Sequence, residues 1–443
     1  MRPRPRIESG GRRVPWAPWV LAGAVAAVAA ARAGADDKVA DEVTKHAQQI
    51  AALHHLTLKS PVRSLVVSQD KLLGRIKQLV FIDYTTEEII DEGRMLVRLG
   101  MFPAGVDYAK TIFQLLEEQV IGLYDTDARE LLLVDYIPDV MEDTTADHEI
   151  THAVQDQTFN LKELMKKRDG EGDLKVALSA VFEGDALLTE EVILGDSLPE
   201  PLTAEGIEAL MMSLSNKGSK VAKVPPAIRK SLFFPYTYGY IFMKKVFKKG
   251  GYDAVNAVLA DPPKSTEQVL HPDAYAAGDD PEKVGFKLPD KVLASYRVAV
   301  EDVMGEFSCR IWLEEFIDPL KASLACDGWE GDWFTFLWPS SASVGKEHLA
   351  QGVFVMATRW DKPGKGGPGD AGEFVDALRK AIAKRWKHEK VKDGDTVVVY
   401  RNVFDEWVIV LRDGEKTLYI EGLPVPMAKD PVSFAEAILK SVT

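Results

Sequence analysis

Thr144-Thr-Ala-Asp-His148-Glu149-Ile-Thr-His152-Ala-Val-Gln-Asp-Gln-Thr-Phe-Asn160 contains the pattern H-E-x-x-H. On a helix, residues four apart lie one turn above each other, so His148 and His152 project from one face. Two imidazoles so placed suit a tetrahedral metal, and zinc is the usual occupant. Glu149 follows directly on His148, where a carboxylate can take a proton from a metal-bound water. The alternative is a plain helix with two satisfied histidines.

A site that keeps one position open for water needs a third protein ligand. Downstream, Lys175-Val-Ala-Leu-Ser-Ala-Val-Phe-Glu183-Gly-Asp-Ala-Leu-Leu-Thr-Glu190 reads as a second helix, entered from a Gly/Asp turn with Asp173 as its expected N-cap. Val176, Ala180, Glu183 and Leu187 fall on one helical stripe, so Glu183 interrupts an apolar face. A carboxylate pointing into a core is costly unless it is paired or metal-bound. Glu183 is therefore the expected third ligand, and Gly184 beside it is expected to let the motif helix approach closely. A rim Glu paired with Lys or Arg is the alternative.

H-E-x-x-H followed by Glu-Gly-Asp-Ala at 183–186 resembles the gluzincin zinc metallopeptidases. More closely, the chain resembles a group of exported bacterial metallopeptidases. Phe234-Pro-Tyr-Thr-Tyr-Gly-Tyr-Ile-Phe242 and Pro262-Pro-Lys-Ser-Thr-Glu-Gln-Val-Leu-His-Pro272 look like further hallmarks of that group. The likeness covers residues 60–290, with a looser match at Gly328-Trp-Glu-Gly-Asp332. It implies a zincin-like catalytic domain, one Zn2+ per chain held by His148, His152 and Glu183, and a peptide or protein substrate. It further implies Glu149 as general base, with Tyr236 or His271 stabilising the oxyanion. Packing for the tyrosine, and a structural role for His271, are the plainer readings. Asp156 and Asp185 are expected to orient the imidazoles. A metal-binding protein that holds a partner chain without cleaving it is the competing function.

At the start of the chain, Arg2, Arg4, Arg6, Arg12 and Arg13 precede an uncharged Ala/Val-rich run from Val14 to Ala31 and an Ala33-Gly-Ala35 cleavage pattern. Residues 1–35 are expected to be a signal peptide, with an uncleaved membrane anchor as the alternative. The mature chain is then exported, periplasmic or extracellular, with no integral membrane domain. Removal of six Arg and one Glu takes the formal net charge from −14 to −19. So acidic a chain is poorly suited to nucleic acid or anionic membranes. Cys309 and Cys326 suit either one disulfide or two buried thiols.

The expected fold class is α+β. Residues 36–118 read as a helical region, and it remains open whether they cover the cleft. His54 and His55 in it are adjacent, so they face different sides, and a core or surface role outweighs ligation. Residues 119–286 read as the helical catalytic domain, opening on a hairpin of 120–124 and 130–134 just before the motif helix. Residues 287–443 read as an α+β domain without chemistry-bearing motifs. In it Tyr296–Phe316 is expected to be one long helix. Strands are expected near 333–337, 351–358, 395–401, 406–411 and 416–420, with a helix from Gly372 to Lys387. Breaks are expected at 198–201 and 362–369.

Overall fold

Glu130–Val134 (β3) is built of Leu and Val at all but its first position and forms the centre of a three-stranded sheet. Arg63–Val67 (β1) pairs with it in parallel, and Gly122–Asp125 (β2) pairs antiparallel as the expected hairpin. The structure is a computed structural model and describes residues 36–119, 122–134, 142–167, 171–195, 203–214, 220–340, 351–361, 369–385 and 387–443. The expected leader, the break at 198–201 and all but Gly369 of the loop at 362–369 lie outside these residues. The α+β class holds: helices dominate up to residue 293, and an antiparallel sheet follows.

Side chains alternate across β3, and both faces are covered. Leu131 and Leu133 join Val43, Ala47, Ile50 and Ala51 of helix Asp36–Leu53 and Ile150, Ala153 and Val154 of the motif helix, Glu142–Phe159. Leu132 and Val134 face the main core. The N-terminal helix is thereby packed against the motif helix, and β1 extends the sheet beside it. The 118/119 boundary falls inside helix Tyr108–Gln119.

The larger sheet has seven strands: Tyr296–Asp302 (β4), Trp329–Pro339 (β5), Val353–Trp360 (β6), His388–Asp393 (β7), Val397–Asn402 (β8), Glu406–Asp413 (β9) and Lys416–Pro424 (β10). Their order is β4-β5-β6-β10-β9-β8-β7, antiparallel throughout. Phe354, Met356, Val408, Val410 and Tyr419 face the main core, whereas Val355, Ala357, Ile409, Leu411 and Ile420 meet the C-terminal helix Pro431–Leu439. This is strand alternation with both faces buried. The expected helix over Tyr296–Phe316 is corrected: β4 occupies its first third, and helix Gly305–Glu314 begins after a turn at Gly305, φ +77°.

One ion pair fastens an N-terminal helix to this sheet, and a second, within the C-terminal part, abuts it. Arg98 reaches Glu406 with two hydrogen bonds of 2.9 and 3.1 Å. Arg385 reaches Glu421 at 2.7 and 3.0 Å and also donates to the Arg98 carbonyl. Cys309 and Cys326 are free, buried thiols. No helix among the described residues is long and apolar enough to cross a membrane.

Asp173 stands inside the first turn of helix Gly172–Leu194 rather than at its N-cap, which is Glu171. Its carboxylate accepts from the Thr266 hydroxyl at 2.6 Å and the Thr266 amide at 2.9 Å, and Gly305 abuts it from the other side. Burial, helped by the charges of Asp332 and Glu306, pushes this carboxyl up to about 7. A carboxyl raised on folding stabilises most when protonated. Its contribution is complete below about pH 4 and is lost as pH rises through about 7, at roughly 1.4 kcal/mol per unit. Asp173→Asn should therefore flatten the fall in melting temperature between about pH 4 and pH 7, read by thermal unfolding beside the wild type.

Candidate metal centre

The motif helix and helix Gly172–Leu194 pack side by side in the main body of the fold. His148 is fully buried and Glu183 nearly so, while His152 keeps a slightly open side. The Glu183 carboxylate oxygen Oε2 lies 3.0 Å from His148 Nε2 and 3.4 Å from His152 Nε2. One ligand atom from each residue falls within 4.8 Å of the other two. The two rings stand nearly perpendicular, 84° apart with centroids at 4.9 Å. A buried group of His148, His152 and Glu183 that can hold a metal ion is therefore present.

The outward nitrogens of both rings are occupied. His148 Nδ1 is 2.6 Å from Glu190 Oε1. His152 Nδ1 is 2.8 Å from Gln155 Oε1. The Gln155 amide nitrogen donates to Asp185 Oδ2 at 2.8 Å and to the Phe182 carbonyl at 3.1 Å. Both of those partners only accept, so the amide orientation is forced and its oxygen faces His152. An oxygen that accepts requires a proton on Nδ1, so Nε2 is the nitrogen left to give its lone pair to a cation at the shared centre. This is the tautomer a metal ligand needs.

Neither Glu190 nor Gln155 was among the expected orienting groups. Asp185 acts on His152 only through Gln155. Asp156 instead accepts from the Tyr124 hydroxyl at 3.0 Å and the Leu161 amide at 2.8 Å, tying the small sheet to the end of the motif helix. Helical spacing offered one signal: Glu190 lies seven residues past Glu183, and Gln155 three past His152, each on its ligand's own face.

Glu149 is buried beneath β2, where Oε2 accepts the Tyr124 amide at 2.7 Å. Burial raises its carboxyl above the ordinary range, against the pull of His152 and His148. Burial alone would also raise Glu183 and lower the imidazoles. The His152 charge and the His148 hydrogen bond instead bring Glu183 down to about 2, and the Glu183 and Glu190 contacts raise His148.

Tyr236 is brought to the site. It lies on a π-helical turn, Pro235–Gly239, with its ring 6.3 Å from that of His148 and inclined at 30°. That turn touches the Glu183 helix backbone to backbone. A Cβ on Gly184 would sit 2.2 Å from the Gly239 carbonyl carbon, and one on Gly239 would sit 2.0 Å from the Ala180 oxygen. The close approach expected at Gly184 is thus to this turn and not to the motif helix. His271 is not brought to the triad. Its Nε2 is 3.0 Å from Glu306 and 3.8 Å from Asp327, on a half-exposed surface near helix Gly305–Glu314. Of the two adjacent histidines, His54 is buried and His55 is exposed, paired with Asp253.

A family model for a domain of unknown function, DUF8575, matches residues 294–430. That stretch holds the seven-stranded sheet and none of the triad. No match was found among curated proteins or solved structures.

Gly184→Ala should lower stability by on the order of 3 kcal/mol or more, because the backbone it would strike cannot rotate away. Thermal unfolding would measure the loss.

Proposed function

We propose that the chain is a zinc-dependent peptidase of the gluzincin type. The observation that carries this reading is the pair of imidazoles whose Nδ1 atoms are anchored by Glu190 and Gln155 while both Nε2 atoms face Glu183. Two nitrogens and one carboxylate are a donor set that zinc takes with one position left open. When bound, zinc would acidify a water and polarise a carbonyl.

The chain's own residues then divide the remaining work. Glu149 takes the proton from the attacking water and returns it to the leaving amine nitrogen, with one carboxylate oxygen steadied by the Tyr124 amide. Its burial keeps the proton affinity of that carboxylate high, as a base requires. Tyr236, over the His148 ring, donates its hydroxyl to the oxyanion that develops on the substrate carbonyl. His271 has no part in this scheme. An exported location accords with the same reading and rests on the sequence of residues 1–35. The substrate is a peptide or protein, and the acidity of the chain argues against nucleic acid.

Metal analysis of the purified protein should return close to one zinc per chain, and Glu183→Ala should lose it. Absence of zinc from the wild type, even after incubation with the ion, would remove the basis of the reading. Glu149→Gln should keep the zinc and lose peptide hydrolysis by about two to four orders of magnitude, measured on a mixed peptide library by mass spectrometry. Full activity in that variant would remove Glu149 as the base.

A further inference from the structure

The hydrogen bonds leading away from His152 do not stop at Asp185. Asp185 is wholly buried, and only its Oδ2 is used, by Gln155. Oδ1 has no hydrogen-bond partner and faces His54 Nε2 at 3.9 Å. His54 is buried as well. Its Nε2 lies 2.9 Å from the Thr189 hydroxyl, one turn past Asp185 on the same helix, and its ring packs against Tyr252 at a tilt of 36° with centroids 4.0 Å apart. The His54 carbonyl accepts from the Asn256 side chain at 2.7 Å.

A buried carboxylate with one bare oxygen is costly in a low-dielectric interior unless a donor or positive edge faces it. His54 is the polar group facing that oxygen. It lies just past helix Asp36–Leu53, which packs on the motif helix through Val43, Ala47 and Ile50.

We propose that His54 is a positioning residue of the metal centre, acting on the His152 ligand through Asp185 and Gln155. The inference rests on the metal-centre reading given above. If Asp185 swings away, the Gln155 amide loses one of the two acceptors that orient it, and the oxygen that holds the His152 ring is no longer fixed. The N-terminal segment 36–54 is then an integral part of the centre: removing it removes an orienting group, where a removable cover would expose an intact site.

Two substitutions separate this role from packing. His54→Phe keeps a ring against Tyr252 and removes the nitrogen, whereas His54→Gln keeps an N–H donor and gives up the ring. The affinity of the full protein for Zn2+ is measured by competition with a chromophoric chelator, and for Co2+ by its visible absorption. Circular dichroism and melting temperature of the metal-free proteins report the fold. We expect His54→Phe to weaken metal binding about ten-fold or more and to alter the Co2+ spectrum, while His54→Gln stays within about three-fold of wild type. Wild-type affinity in both variants overturns the proposal, as does equal weakening in both that follows the loss of melting temperature. Glu183→Ala, run alongside, distinguishes the two readings. Metal bound by the wild type and lost in Glu183→Ala sustains the centre whatever His54 does, and no metal in the wild type overturns both.

Discussion

One carboxylate oxygen shared by two buried imidazoles organises the middle of this molecule. Glu183 lies 3.0 and 3.4 Å from the two ring nitrogens because its helix is held beside the motif helix. Contacts with other segments hold that helix in place. The Gly184 and Gly239 backbones meet without side chains between them, and Asp173 is clasped by Thr266 at the helix start. The seven-stranded sheet backs the arrangement through a core continuous with the helices.

The charges make a second constraint. Glu149, Glu183 and Glu190 converge on two imidazoles in a nearly dry interior. Such a group is stable only if positive charge enters it, as protons on the rings or as a cation between them. The fold supplies the carboxylates and holds the ring nitrogens in place beforehand, which is the preorganisation a metal centre requires.

The helices were legible because their periodicity is long and their caps are local. Ser68, Thr85 and Ser265 accept from the backbone where a capping side chain belongs, and Gly100 and Gly278 close their helices in the left-handed region. β4 was not legible. A bulge between Val298 and Val300 slips the strand alternation, so the apolar spacing no longer repeats every second residue. β1 is a five-residue strand with Leu65 and Arg63 exposed, and only its partner β3 makes it a strand. The block at 262–272 was visible, but its contacts were not. Thr266 serves Asp173, and His271 serves Glu306.

The sequence by itself determined the triad, because His148, Glu149 and His152 are joined by a single turn of helix and Glu183 breaks an apolar stripe. Those relations are local, and helical geometry carries them. It also determined the α+β class, through the change of character from about residue 287, with strand patterns following the helical ones. Tertiary structure alone decided what holds the ligands. Gln155 lies one turn from His152 on the motif helix, but Asp185 comes from a second helix, His54 from the turn after a third and Tyr236 from a π-helical turn, so the contacts among these segments exist only once they pack. No periodicity records a contact of that kind, since it depends on distances in space between residues far apart along the chain.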